Sequence, residues 1–110
     1  MEVNSILADI PRELPNELFT NLFQNKQVSI ERIVSKGQCD AKEQWYDQEG
    51  DEWVILLQGA AILEFFQPAE KKSLVAGDYL LIPAHVKHRV DWTHPEQESI
   101  WLAMHFIDSK

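Results

Sequence analysis

From Gln27 onward the chain runs in short stretches rich in β-branched and aromatic residues, each closed by turn residues. The stretches are Val28–Val34, Glu43–Tyr46, Glu52–Gln58, Ala60–Gln67, Lys72–Val75, Tyr79–Ile82, His88–Trp92 and Glu98–Phe106. Many short strands at regular spacing predict a β-sandwich or barrel rather than β-α-β units. Gly77-Asp78 reads as a tight turn with positive φ at the glycine, and Gly59, between two apolar strands, as a tight hairpin. Pro83 has no amide proton to give a ladder and belongs at a strand end.

Residues 1–26 follow a different pattern. Ile10, Leu14, Leu18, Phe19, Leu22 and Phe23 carry the apolar character, and from Leu14 onward they fall at helical intervals. Asn16 is placed to cap a helix whose first turn holds Glu17. The prediction is an arm bent at Pro11–Pro15, then a short helix laid against a barrel formed by residues 27–110. Trp53–Leu57 and Ala60–Phe66 are apolar on both faces, so each needs an outer cover as well as a core. Either the arm or a second copy of the chain supplies it; a homodimer is the expectation.

Composition narrows the classes. A chain of 110 residues with 45% apolar and 25% charged positions suits one folded domain. Eighteen acids against ten bases give a net charge of −8, which repels phosphate backbones and argues against a nucleic-acid surface. The most apolar stretch, Trp53 to Phe66, is broken by Gln58, Gly59 and Glu64, so no membrane-spanning segment is expected. One cysteine, Cys39, permits no intrachain disulfide, and the expected location is the reducing cytoplasm.

Two segments resemble the paired motifs of the cupin family. In cupins the second motif reads Gly, five residues, Pro, one residue, Gly, two residues, His. Gly77, Pro83 and His88 match it, and His85 stands where the second glycine is usual. The first motif is a His-x-His pair, three or four residues, Glu, six residues, Gly. Glu52 and Gly59 match, whereas Tyr46 and Gln48 (or Trp45 and Asp47) stand in place of the histidines. The resemblance spans about residues 28 to 106 and looks closest to small single-domain bacterial cupins. It implies an all-β fold, a double-stranded β-helix or jelly-roll barrel, with a site inside.

The resemblance also implies a divalent metal (Fe, Mn, Ni or Zn), with His88 and Glu52 as ligands and Gln48 in one vacated histidine place. Period two puts Glu52, Val54 and Leu56 on one strand face and His88, Val90 and Trp92 on another, so the two polar groups converge if both faces point inward. His105, on a face with Trp101 and Ala103, can supply a replacement imidazole or move protons, or be a hydrogen-bonded strand histidine. His85 can do the same at the mouth, or serve only as a turn residue that tolerates positive φ. Tyr46, Asp47, Trp92 and Trp101 are expected to line the substrate pocket, with Asp47 otherwise organising a turn. Lys87 and Arg89 flank His88 on the opposite face, expected as a solvated pair at the rim. Three readings remain open: a metal-dependent enzyme acting on a small polar molecule, a metal-free binding module for a sugar or organic acid, and a structural dimer.

Overall fold

The computed structural model describes residues 1–107; the last three residues of the expected barrel segment lie outside them. The strands are β1 (Leu18–Gln24), β2 (Val28–Ser35), β3 (Glu52–Gln58), β4 (Ala60–Phe65), β5 (Glu70–Val75), β6 (Tyr79–Ile82), β7 (His88–Thr93) and β8 (Ser99–Phe106). They form two antiparallel sheets, one of five strands in the order β1-β2-β8-β3-β6 and one of three in the order β5-β4-β7. Among the described residues there is no helix, and so none long and apolar enough to cross a membrane.

Period two decides what fills the interior. Val54 and Leu56 from β3, Ala61, Leu63 and Phe65 from β4, Leu74 from β5, Ile82 from β6, and Trp101 and Ala103 from β8 form one buried cluster shared by both sheets. Each large side chain taken out of water there stabilises the fold by about 1.5–3 kcal/mol. β3 and β4 are consecutive but belong to different sheets, so Gly59 is a corner between sheets and not the expected hairpin. Its φ is +91°, and a Cβ there would sit 2.5 Å from the Ser99 hydroxyl and 2.7 Å from the Glu98 carbonyl oxygen. At the Gly77 turn φ is +98°, and the Asp78 carboxylate accepts the Val75 amide at 2.9 Å.

The expected N-terminal helix is a strand. β1 pairs along β2, with a register shift between Asn21 and Phe23. That bulge absorbs Leu22 and reconciles apolar spacings of three and four with a pleated strand. The bare edge of β2 is a stronger demand than local periodicity, because its amide and carbonyl groups need partners. The arm before β1 is fastened by buried Arg32, which donates to the carbonyls of Ile6 (3.0 Å) and Ala8 (2.6 Å). The expected strand Glu43–Tyr46 is also corrected. Only Tyr46 bridges to β7, exchanging backbone hydrogen bonds with His88.

Register places Leu81, Trp53, Met104, Ile30 and Phe23 in one row across the outer face of the five-stranded sheet. Tyr79, Ile55 and Leu102 form the next row, which runs through Arg32, beneath the arm, to Thr20. Tyr79, Leu81 and Phe23 are exposed.

Candidate functional site

A cavity of about 110 Å³ opens between the sheets, near the end where β3 begins. Its apolar wall comprises Phe19, Ile33, Val54, Leu63, Ile82, Val90 and Trp101. Its polar groups are Glu17, Glu31, Asp40, Tyr46, Gln48, Glu52, His88 and His105. Glu52 begins β3 and His88 begins β7, each on the inward period of its strand and only 7% and 6% exposed.

The His88 ring is fixed by its own backbone. Nδ1–H donates to the Val86 carbonyl at 2.9 Å, which turns Nε2 toward Glu52 Oε1, 3.4 Å away. The approach is an ion-pair contact and is off the hydrogen-bonding direction, so Glu52 Oε1 is buried without a donor. Burial works against the charged imidazole, but Glu52, the Val86 carbonyl and Asp40 outweigh it and raise the His88 pKa above its ordinary value.

His105 lies across the β3–β8 register from Glu52 and bonds to Glu31 on β2, with Nε2 donating at 2.9 Å. Glu31 raises its pKa, partial burial opposes that, and Glu52 adds to the rise. Burial, with Asp40 and Glu17 nearby, pushes the Tyr46 phenol up, so it stays neutral. Glu17 is pushed up mainly by burial, against the Ser35 hydrogen bond.

The loop over the cavity is held by Arg89, which is 4% exposed and not the solvated rim residue expected. It donates to the Glu64 carboxylate at 2.7 Å, to the Asp40 carbonyl at 2.9 Å and to the Asp91 carboxylate. The Asp40 carboxylate accepts the Val90 amide at 2.8 Å. Loop residues therefore cap the free edge of β7 and bring Tyr46 and Gln48 to the mouth.

The cavity thus gathers Gln48, Glu52, His88, His105, Tyr46 and Trp101 from the residues singled out in the sequence, and it leaves out three. Trp92 is 39% exposed. The β4–β7 register passes from Leu63↔Val90 to Ile62↔Trp92, so the extra residue Asp91 turns Trp92 outward. Asp47 and His85 pair with each other on the rim, Oδ1 to Nδ1 at 2.9 Å, with the His85 side chain 66% exposed. His85 has φ +66°, the backbone of the usual glycine. Lys87 lies over the Phe66 ring, away from the cavity. Sequence reasoning missed Glu17, Phe19, Glu31 and Asp40. Glu31 carried a faint signal, a carboxylate on the strand face it shares with Ile33; Asp40, in a loop, carried none.

Eight strands in two facing antiparallel sheets, with a polar cavity opening between them, define a double-stranded β-helix of the cupin class. The chain belongs to the cupin superfamily. A solved structure from Ralstonia eutropha JMP134, provisionally named a mannose-6-phosphate isomerase, is 37% identical over 98% of this chain and 100% of its own, with a TM-score of 0.92. A cupin superfamily protein from Desulfitobacterium hafniense DCB-2 is 26% identical over 90% of this chain and 84% of its own, at a TM-score of 0.74. An RmlC-like cupin from Methanocaldococcus jannaschii, 15% identical over 90% of this chain and 87% of its own, shares the fold at a TM-score of 0.70. No protein-family model matches the chain, and no curated protein matches it.

Many cupins hold a divalent metal, and the residues present do not fit that centre. Among the described residues no three His, Cys, Asp or Glu side chains come together in a way that can hold an ion. One imidazole and one carboxylate converge; the vacated places hold a neutral phenol and an amide; and His105 is engaged by Glu31.

The Glu31–His105 pair yields a pH-dependent prediction. The His105 pKa is raised on folding, so its stabilisation is complete below its unfolded value of about 6.5 and is lost as pH rises through the folded pKa. NMR titration should show His105 titrating above its ordinary range, and Glu31→Gln should bring it down. An unchanged His105 midpoint in that variant would contradict the pairing.

Proposed function

We propose that the protein is a metal-independent cupin that binds a small polar molecule in the barrel cavity, with Glu52 and His88 as the anchoring pair. The observation that carries this reading is the buried Glu52 Oε1, which lines the cavity and has no hydrogen-bond donor among the described residues. A buried acceptor left unpaired costs about 1–3 kcal/mol, a cost that a bound molecule's donor removes. Val54, Leu63, Val90 and Trp101 provide the apolar contact that orients such a molecule. Should the bound molecule also react by proton transfer, His105 is the cavity group placed to move the proton, with Glu31 behind it. His85, on the rim, is not.

The name carried by the Ralstonia relative is not extended to this chain. Arg or Lys commonly receives a phosphosugar's phosphate, and among the described residues the cavity lining has neither. The unpartnered Glu52 oxygen also favours a second reading, a divalent ion held by His88, Glu52 and Gln48. The donors are few for a first-row metal, which makes this the weaker alternative.

Elemental analysis separates the two. Protein purified without chelator is expected to hold well under one equivalent of Fe, Mn, Ni or Zn, and its melting temperature should not change on chelation. In a small-molecule screen, Glu52→Gln and His88→Ala should each weaken the hits about 10-fold or more, since a hydrogen bond to a charged group contributes about 1.5–3 kcal/mol. A full equivalent of metal, lost in His88→Ala, would establish the second reading.

We also propose that a second copy of the chain covers the Trp53–Met104–Ile30 row. That face spans five strands, and its single charged residue, Arg32, is taken up by the arm, so copies meet there without repulsion despite the net charge of −8. Sedimentation should give twice the chain mass, reduced to one chain by Leu81→Lys. A monomeric wild type would contradict it.

A further inference from the structure

The cavity wall specifies a charge as well as a shape. Among the described residues four carboxylates line it, from Glu17, Glu31, Asp40 and Glu52, with two imidazoles and no Lys or Arg. Even with both imidazoles charged, carboxylates outnumber cations four to two. Three of the four acids already have donors from the protein. The Ser35 hydroxyl donates to Glu17, the Val90 amide to Asp40, and His105 to Glu31. Glu52 is the exception; it is 7% exposed, and among the described residues its Oε1 faces His88 Nε2 at 3.4 Å but accepts no hydrogen bond.

We infer that the molecule bound here carries an ammonium group, seated against Glu52, with its hydrocarbon part on the Val54–Leu63–Val90–Trp101 wall. This inference rests on the cavity being a ligand site, as proposed above. An ammonium brings three N–H donors and no acceptor, which suits a cavity whose polar groups are chiefly acceptors. Phe19, Tyr46 and Trp101 add aromatic faces to the lining, and aromatic faces attract cations more strongly than neutral groups. A carboxylate or phosphate ligand would meet four acids against at most two imidazolium cations, which low polarity makes costly. The volume of about 110 Å³ is of the order of the roughly 150 Å³ cavity that accepts benzene, so the ligand is an amine of a few carbons.

The test compares n-butylammonium, 1-butanol and butyrate on the full chain by isothermal titration. A chelator is present throughout, so that no bound metal takes part. Butylammonium should bind about 10-fold or more tightly than butanol, with butyrate the weakest, and Glu52→Gln should abolish the preference for the ammonium over butanol. Equal binding of butanol or butyrate in the wild type would overturn the inference, and so would an ammonium preference that survives Glu52→Gln. The wild-type comparison decides alone if the variant does not fold. If butylammonium fails while a neutral sugar binds, the ammonium assignment falls and the cavity reading stands. If no probe binds, both fall.

Discussion

The structure turns on the cost of pointing a carboxylate into a barrel. Period two along β3 puts Glu52 on the same inward face as Val54 and Leu56, and turning Glu52 outward would turn those two outward as well. The acid is therefore held inside by the core it begins. His88, at the start of β7, meets it from the opposite sheet at 3.4 Å. The two charges offset part of each other's desolvation, but among the described residues the Glu52 Oε1 that faces His88 accepts no hydrogen bond. A purely structural interior would more cheaply hold two apolar side chains, which is why the pair reads as a site.

Two buried arginines hold the surroundings in place. Arg89 fastens the loop that carries Asp40, Tyr46 and Gln48 to the edge of β7. Arg32 fastens the arm across the outer face of β2. Both use backbone carbonyls as acceptors, so irregular segments are anchored without strands of their own. The loop closes one free edge, β1 lengthens the other, and the cavity is left open chiefly between them.

Most of the barrel was legible because strand periodicity and turn chemistry agree. β3, β6, β7 and β8 fall within one or two residues of their expected ends, and the Gly77 turn has the backbone its sequence requires. The misreadings share a cause, the demands of pairing between distant strands. β1 has apolar residues at helical spacing because its bulge disguises a strand as a helical pattern. Strict alternation along β7 puts Trp92 inside with Val90, and the bulge at Asp91 reverses it. Glu52 and His88 were found from motif spacing. Glu31 and Asp40 depend on a β2–β8 register and a loop path that no local pattern encodes.

The most direct test of the account is the 15N spectrum of the His88 ring in protein purified without chelator, recorded before and after EDTA is added. An anchoring pair without metal predicts an Nδ1–H held by the Val86 carbonyl and an Nε2 resonance that EDTA leaves unmoved. An Nε2 resonance in the metal-bound range that shifts on chelation would contradict it, and would make Glu52 and His88 the remnant of a metal centre.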